Sequence, residues 1–186
     1  MGRIVVTEFV SLDGVMEDPG GAEDFEHGGW TFEIDRGEGD AFKLEETRAT
    51  EALLLGRVTY EGFAAAWPSR EGEFADRFNS MPKYVVSSTL QDPEWNNTTV
   101  LSGDLAEEVS NMKERHDGDV VVHGSRQLVQ TLVARDLVDE LRLMVFPVVL
   151  GSGKRLFGES GKKRLSLVDS KMVGDGVAIL VYQRPA

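Results

Sequence analysis

Short apolar runs rich in β-branched residues alternate along this chain with stretches whose apolar positions recur every three or four residues. That alternation lays strands and helices in layers, the pattern of an α/β domain. Ile4 to Val10 reads as a first strand, and Ser11-Leu12-Asp13-Gly14 turns out of it into a long Gly- and acid-rich loop reaching about Glu38. A loop of that length inside a compact domain is usually functional, as a lid or binding loop, or mobile. A helix over about Asp40 to Thr50 leads into the short strand Ala52-Leu53-Leu54-Leu55, closed by Gly56-Arg57. Tyr60, Phe63, Ala64 and Trp67 then fall at i, i+3, i+4 and i+7 on one helical face, and Pro68 ends it.

A second helical piece, Phe74 to Asn79, precedes a strand over Lys83 to Val86 that ends in Ser87-Ser88-Thr89, and Thr98 to Leu101 forms another. Asp104 has the spacing of an acidic helix cap before a helix lined by Leu105, Val109 and Met112. Asp119 to Val122 reads as a buried strand that His123-Gly124-Ser125 turns into a helix with Leu128, Val129, Leu132 and Val133 inward. A long strand is expected over Leu141 to Leu150, through Pro147. A terminal hairpin follows: Leu165 to Val173, the turn Gly174-Asp175-Gly176, and Val177 to Tyr182. Strands that run into helix turns are parallel and the hairpin is antiparallel. The expected sheet is mixed and mostly parallel, with helices on both faces, in one domain spanning residues 1–186.

Composition narrows the function. The formal net charge of −12 disfavours a general affinity for nucleic acid or anionic membrane. The charge is concentrated: Glu17 to Glu46 holds 11 acidic residues against two basic ones. This stretch reads chiefly as a solvated loop and helix face, and the remainder is near enough to neutral to hold a phosphate-bearing ligand. With no cysteine, the chain excludes disulfides, thiolate nucleophiles and cysteine-bound zinc. His27, His116 and His123 have no metal-ligand spacing, so no metal is expected. No apolar run approaches the ~20 residues of a membrane span, and no signal-peptide pattern precedes the first strand. A cytoplasmic home is the expectation.

In an open α/β sheet, ligands gather at the carboxyl ends of the strands, where helix N-termini offer free N–H groups. Three such ends carry suitable groups. Gly56-Arg57-Val58-Thr59 offers close backbone approach, a guanidinium fork and a hydroxyl; Ser87-Ser88-Thr89 offers three hydroxyls; Gly124-Ser125-Arg126 offers a strand-to-helix turn with a second cation. Each also has a plain local reading, glycine at a turn and serine at a cap. Gly151-Ser152-Gly153-Lys154 lacks the spacing of a phosphate loop and reads better as a tight turn.

The ordered set Ser11-Leu12-Asp13-Gly14, Gly56-Arg57-Val58-Thr59, Val86-Ser87-Ser88, Gly124-Ser125 and Val138-Asp139-Glu140-Leu141, leading to Pro147-Val148-Val149-Leu150-Gly151, spans nearly the whole chain. It resembles the dihydrofolate-reductase-like superfamily, and within it the C-terminal reductase domain of bifunctional riboflavin-biosynthesis enzymes. The resemblance implies a three-layer fold, NADPH as cofactor, a small-molecule substrate and a homodimer. Carried over by position, Arg57 and Thr59 meet the adenosine-side phosphates and Ser87 and Ser88 the 2′-phosphate region. Gly124 and Ser125 meet the pyrophosphate.

The chain departs from that pattern in three places. Gly124-Ser125 stands where the family has paired glycines, His123 where a substrate-binding glutamate precedes them, and Phe63-Ala64 where an acidic pair continues the cofactor motif. Asp13 is the candidate catalytic carboxyl, its pKa raised to let it protonate the nitrogen that receives negative charge when hydride enters a C=N bond. Its alternative role is to fix the turn before Gly14. Glu140 is a weaker candidate, expected to be exposed at a strand entrance. The implied activity is NADPH-dependent reduction of a pteridine- or pyrimidine-type substrate, such as a ribosylaminouracil. Two other readings remain: a nucleotide-binding module of the same fold without catalysis, and an interaction protein using its acidic segment.

Overall fold

The computed structural model describes residues 1–185. Eight strands form one sheet: β1 (Arg3–Ser11), β2 (Thr50–Gly56), β3 (Lys83–Val86), β4 (Thr98–Leu101), β5 (Asp119–His123), β6 (Glu140–Phe146), β7 (Ser166–Val173) and β8 (Val177–Gln183). Their order is β4-β3-β2-β5-β1-β6-β8-β7. The pairings from β4 across to β6 are all parallel, while β6–β8 and β8–β7 are antiparallel. Five helices connect them: α1 (Gly39–Ala49), α2 (Arg57–Ala66), α3 (Glu73–Ser80), α4 (Leu105–Arg115) and α5 (Arg126–Ala134). This is the expected mixed, mostly parallel three-layer sheet.

Alternation along the strands divides the core in two. Ile4, Val6, Val10, Val120, Val122, Leu141 and Leu143 share one face with Val109 and Met112 of α4 and Leu128, Val129 and Leu132 of α5. The other face carries two clusters. Leu53, Leu55 and Val85 pack with Tyr60 of α2 and Phe78 of α3, and Met144, Phe146 and Ile179 pack with Trp30. Helices cover both faces because the crossover between parallel strands is right-handed, so its direction along the sheet decides its side. The connections through α1 and α2 run one way across the sheet, and those through α4 and α5 run back.

One boundary differs clearly from expectation. The strand expected to reach Leu150 ends at Phe146, because Pro147 has no N–H for a ladder bond and the N–H of Val148 turns back to the Phe146 carbonyl at 2.8 Å. The acid-rich loop is packed by its own residues and carries a single 3-10 turn, Trp30–Glu33. Trp30 is buried edge-on to Phe146 at 5.4 Å between centroids, and its indole N–H donates to the Glu17 carbonyl at 2.8 Å. The Thr31 hydroxyl donates to the Pro19 carbonyl at 2.6 Å. Trp67 stacks on Phe74, the core role expected of it.

Trp30 therefore holds the loop against the sheet. Trp30→Ala is expected to cost about 3–5 kcal/mol in unfolding free energy. Phe32→Ala, two residues away and 72% exposed, is expected to change it by less than about 0.5 kcal/mol. Urea titration of both variants checks the contrast.

Candidate functional site

Because the six strands from β4 to β6 run parallel, their carboxyl ends share one rim. The three predicted turns open on it. The exits of β2 and β5, neighbours in the sheet, send their helices to opposite faces and leave a crevice between them, the position where α/β sheets collect ligands. Gly56 and Arg57 stand at the first exit, and Gly124, Ser125 and Arg126 at the second. Ser87 and Ser88 lie one strand further out, where Val86 of β3 is in register with Gly56.

The crevice is closed at its base by a direct bond. The backbone N–H of Gly56 donates to Ser125 Oγ at 2.7 Å. Both Gly124 and Ser125 are left-handed, at φ 56° and 63°, with trans peptide bonds. For a serine this conformation costs roughly 1–2 kcal/mol, and the bond to Gly56 helps offset it. The packing here leaves little room: a Cβ on Gly124 would lie 3.0 Å from Thr59 Oγ1, and one on Gly56 would lie 3.1 Å from Ser125. Ser125 precedes α5 without capping it by a side-chain bond, so among the described residues the first-turn N–H groups of α5 are left uncapped at the rim. That is a ready receptor for an anionic group.

Of the remaining residues of the rim, Arg57 is half-exposed and, among the described residues, pairs with Glu61 of its own helix alone, at 3.0 Å. Such surface pairs are weak and readily exchanged for a ligand. Ser87 Oγ accepts from the N–H groups of Thr89 and Leu90 at 3.2 and 2.9 Å, closing its own turn. Ser88 is exposed. The uncapped turn, the two guanidinium groups and the exposed Ser88 hydroxyl thus suit an anionic, phosphate-bearing group.

The chemistry assigned to Asp13 is corrected by its surroundings. Its carboxylate accepts from Ser11 Oγ at 2.6 Å and from the backbone N–H groups of Leu150 and Gly151 at 3.1 and 2.9 Å. The Ser11 hydroxyl foremost, and then these N–H groups, hold its pKa down at about 2. This is opposite in sign to what a proton donor requires. The carboxylate fixes the β1 turn to the segment after β6. Glu140 lies at the opposite edge of the sheet and is buried rather than exposed, accepting from Arg3, Arg142 and Gln183. The Gly151–Lys154 segment is a turn, with Gly151 and Gly153 at positive φ and Lys154 Nζ paired to Glu17 at 2.9 Å.

His123 packs against Phe78 and Phe63, with ring centroids 5.2 and 6.3 Å away. Burial above all, and Lys43 nearby, depress it to about 3, so the imidazole is neutral. Among the described residues no group of three or more His, Asp or Glu side chains is placed to hold a metal. Nor is any helix long and apolar enough to cross a membrane.

One residue of the rim was not singled out from the sequence. Glu8, on the face of β1 that meets α4 and α5, is buried, and its Oε1 has no hydrogen-bond partner. A buried orphan of this kind costs roughly 1–3 kcal/mol. The signal was there to read: a single acid inside the Ile4 to Val10 run, apolar but for Thr7.

Against known proteins, residues 3–179 match the model of the RibD C-terminal domain. The chain is 29% identical over 186 residues to the uncharacterized protein YyaP of Bacillus subtilis (strain 168), covering 97% of this chain and 94% of that one. It is 27% identical over 171 residues to the uncharacterized protein YwjB of the same organism, covering 91% of each. A solved structure from Shewanella sp. PV-4, named for riboflavin biosynthesis, superposes with a TM-score of 0.78 at 21% identity over 99% of both chains. A pyrimidine reductase-like protein from Corynebacterium diphtheriae superposes at 0.65 with 14% identity, over 99% of this chain and 92% of that one. At such identities the two structures speak for the fold alone.

Asp13→Ala removes acceptors for two backbone N–H groups, and the expected loss is about 1–3 kcal/mol at neutral pH. Because the folded-state pKa lies below the unfolded value, the stabilisation is present above about pH 4 and disappears as pH falls toward about 2. The unfolding curves of variant and parent should therefore converge in acid. A gap that persists unchanged at about pH 2 would contradict the assignment.

Proposed function

The chain belongs to the RibD C-terminal domain family, and on that premise we propose that it is a cytoplasmic NADPH-dependent reductase. Its substrate class is a C=N-containing pteridine or pyrimidine, including ring-opened ribosylaminouracils. The observation that carries this reading is the crevice between the β2 and β5 exits, where Gly56, Thr59, Gly124 and Ser125 meet within contact distance under the uncapped start of α5.

In this reading NADPH, when bound, supplies the hydride, and the protein supplies grip, orientation and a dry surface. The first-turn N–H groups of α5 and the Gly124-Ser125 turn hold the pyrophosphate. Arg57, with Thr59 beside it, and Arg126 neutralise phosphate charge, and Ser87 and Ser88 border the 2′-phosphate. Asp13 holds the β1 turn in place as an ionised carboxylate.

That last feature favours a second reading, a nucleotide-binding module of the same fold without turnover, since the carboxyl expected to deliver a proton is ionised. The two readings separate in one assay. NADPH oxidation is followed with dihydropteridine- and ribosylaminopyrimidine-type substrates, alongside a calorimetric titration of NADPH. Oxidation supports the reductase. Binding without oxidation of NADPH by any of them supports the module, and no binding removes both.

For specificity, NADPH at a hundredfold excess over its Kd stabilises the fold by about 2.7 kcal/mol, and NADH is expected to stabilise it less. Arg57→Ala should narrow that difference in a thermal-shift comparison. Unchanged discrimination would remove Arg57 from its role.

The proposal includes self-association. β7 is an edge strand whose Leu167, Val168 and Met172 are half-exposed or more, an apolar strip beside unpaired backbone groups that a second copy of the chain can cover. Light scattering should report a dimer, and Met172→Asp should shift it toward monomer. A monomer in both would overturn this part.

A further inference from the structure

Glu8 lies three positions before the end of β1, in register with Leu143 of β6. One strand away, β5 delivers the chain into Gly124 and Ser125, and the parallel register that sets Thr7 opposite His123 brings Glu8 alongside that turn. Its Oε1 is enclosed and unpartnered. A carboxyl therefore stands beneath the same turn that offers N–H groups to an anion. We propose that Glu8 is the positioning residue of the Gly124-Ser125 turn and that it ties the rim's grip on a dinucleotide to a proton, because the ligand's phosphates and an ionised Glu8 compete for one turn. The inference deepens the reading above and rests on it.

Burial is the largest influence on Glu8, and it lifts the carboxyl to about 8 against the opposing pull of Gly124 N–H and Lys43; Glu46 adds to the rise. Lys43 and Glu46 reach it from α1, across the sheet, where they pair with each other. On its own face α4 and α5 present Val109, Met112, Leu128, Val129 and Leu132, with half-buried Arg126 opening α5. Lys113 of α4 is paired with Asp139 at 2.6 Å, at the far end of the sheet. No cation on that face meets Glu8 among the hydrogen bonds and ion pairs of the described residues, so its neutral form is favoured while water is excluded. In that form it is a third kind of group on the rim, an uncharged acid that leaves the field of the helix N-terminus intact. Once ionised, it opposes that field at short range.

The linkage has a defined sign. A ligand that disfavours ionised Glu8 raises its pKa further, so affinity falls as pH climbs through about 8, by at most tenfold per pH unit. The 2′-phosphate of NADPH, with a second pKa near 6 like other phosphate monoesters, is already fully charged in that window and adds no slope.

The test is calorimetric titration of the full-length chain with NADPH between about pH 7 and pH 9.5. The parent is expected to lose about tenfold in affinity across this range, and Glu8→Gln, which cannot ionise, to lose the slope. Parallel pH profiles in the two proteins overturn the inference. Should the variant fail to fold, titration of the parent at about pH 8 in buffers of different ionisation enthalpy decides alone: NADPH binding is expected to take up part of a proton, and zero uptake overturns the role of Glu8. NADPH that binds without proton linkage sinks only this inference. NADPH that binds at no pH sinks the dinucleotide reading with it.

Discussion

The bond from Gly56 N–H to Ser125 Oγ joins two neighbouring strands at the point where their helices leave for opposite faces of the sheet. Parallel pairing brings the two exits to one edge, but the right-handed crossovers then pull α2 and α5 apart. Without a tie at its base, the crevice would be a gap between diverging elements with two strand-end peptides facing it. The serine resolves this only by entering the left-handed region, which places its hydroxyl toward β2 and swings the start of α5 open to the rim. Local strain, the strand clasp and the uncapped helix are one arrangement seen from three sides. The side chain that could have capped α5 is spent on the neighbouring strand, so the helix keeps its unpaired N–H groups for something else.

A second constraint lies on the opposite face. Lys43 and Glu46 of α1 are buried, bonded to each other and to Thr7 of β1, and Glu46 continues through Arg142 to Asp119, Glu140 and Arg3. A charged network inside a sheet layer gives little net stability over an apolar core, but removal of one member strands the rest, at roughly 3–5 kcal/mol. It fixes how α1 seats across β1, β5 and β6, since each charge has its partner in only one register. The apolar periodicity of α1 is weak for this reason: the helix docks through charges at positions where most helices place leucine.

How far the sequence reveals this follows from the range of each interaction. The strands, the helices with clear three-and-four spacing and the rim itself were legible, because β-branched runs, caps and turn residues act within a few positions. That these strands run parallel followed from the alternation of strand and helix, while their order in the sheet did not. What escaped depends on distant partners. Pro147 sits inside the expected strand, yet the strand ends just before it, where Val148 folds back onto Phe146. Trp30 could not be assigned to a core from within a polar loop, since its neighbour Phe146 is over a hundred residues away. The roles of the site serines were legible only in part. Ser125 was expected to face ligand but its hydroxyl is taken by Gly56, and Ser87 closes its own turn.

The two carboxyls of the β1 region show why residue type alone misassigns chemistry. Asp13 is flanked by glycine in an exposed-looking turn, and Glu8 sits in an apolar strand; chemical intuition at the level of motif favours the first. In the fold, Asp13 gathers one hydroxyl and two N–H donors, which stabilise its charge. Glu8 is sealed among aliphatic side chains with one oxygen unpaired, which penalises its charge. The same functional group is therefore driven in opposite directions five residues apart, to about 2 in one case and about 8 in the other. Donor count and access to water decide which carboxyl can carry a proton at neutral pH, and both are set by strands that the β1 sequence does not contain. A protonated acid on this rim is Glu8, and Asp13 is the anchor that keeps the neighbouring turn in place.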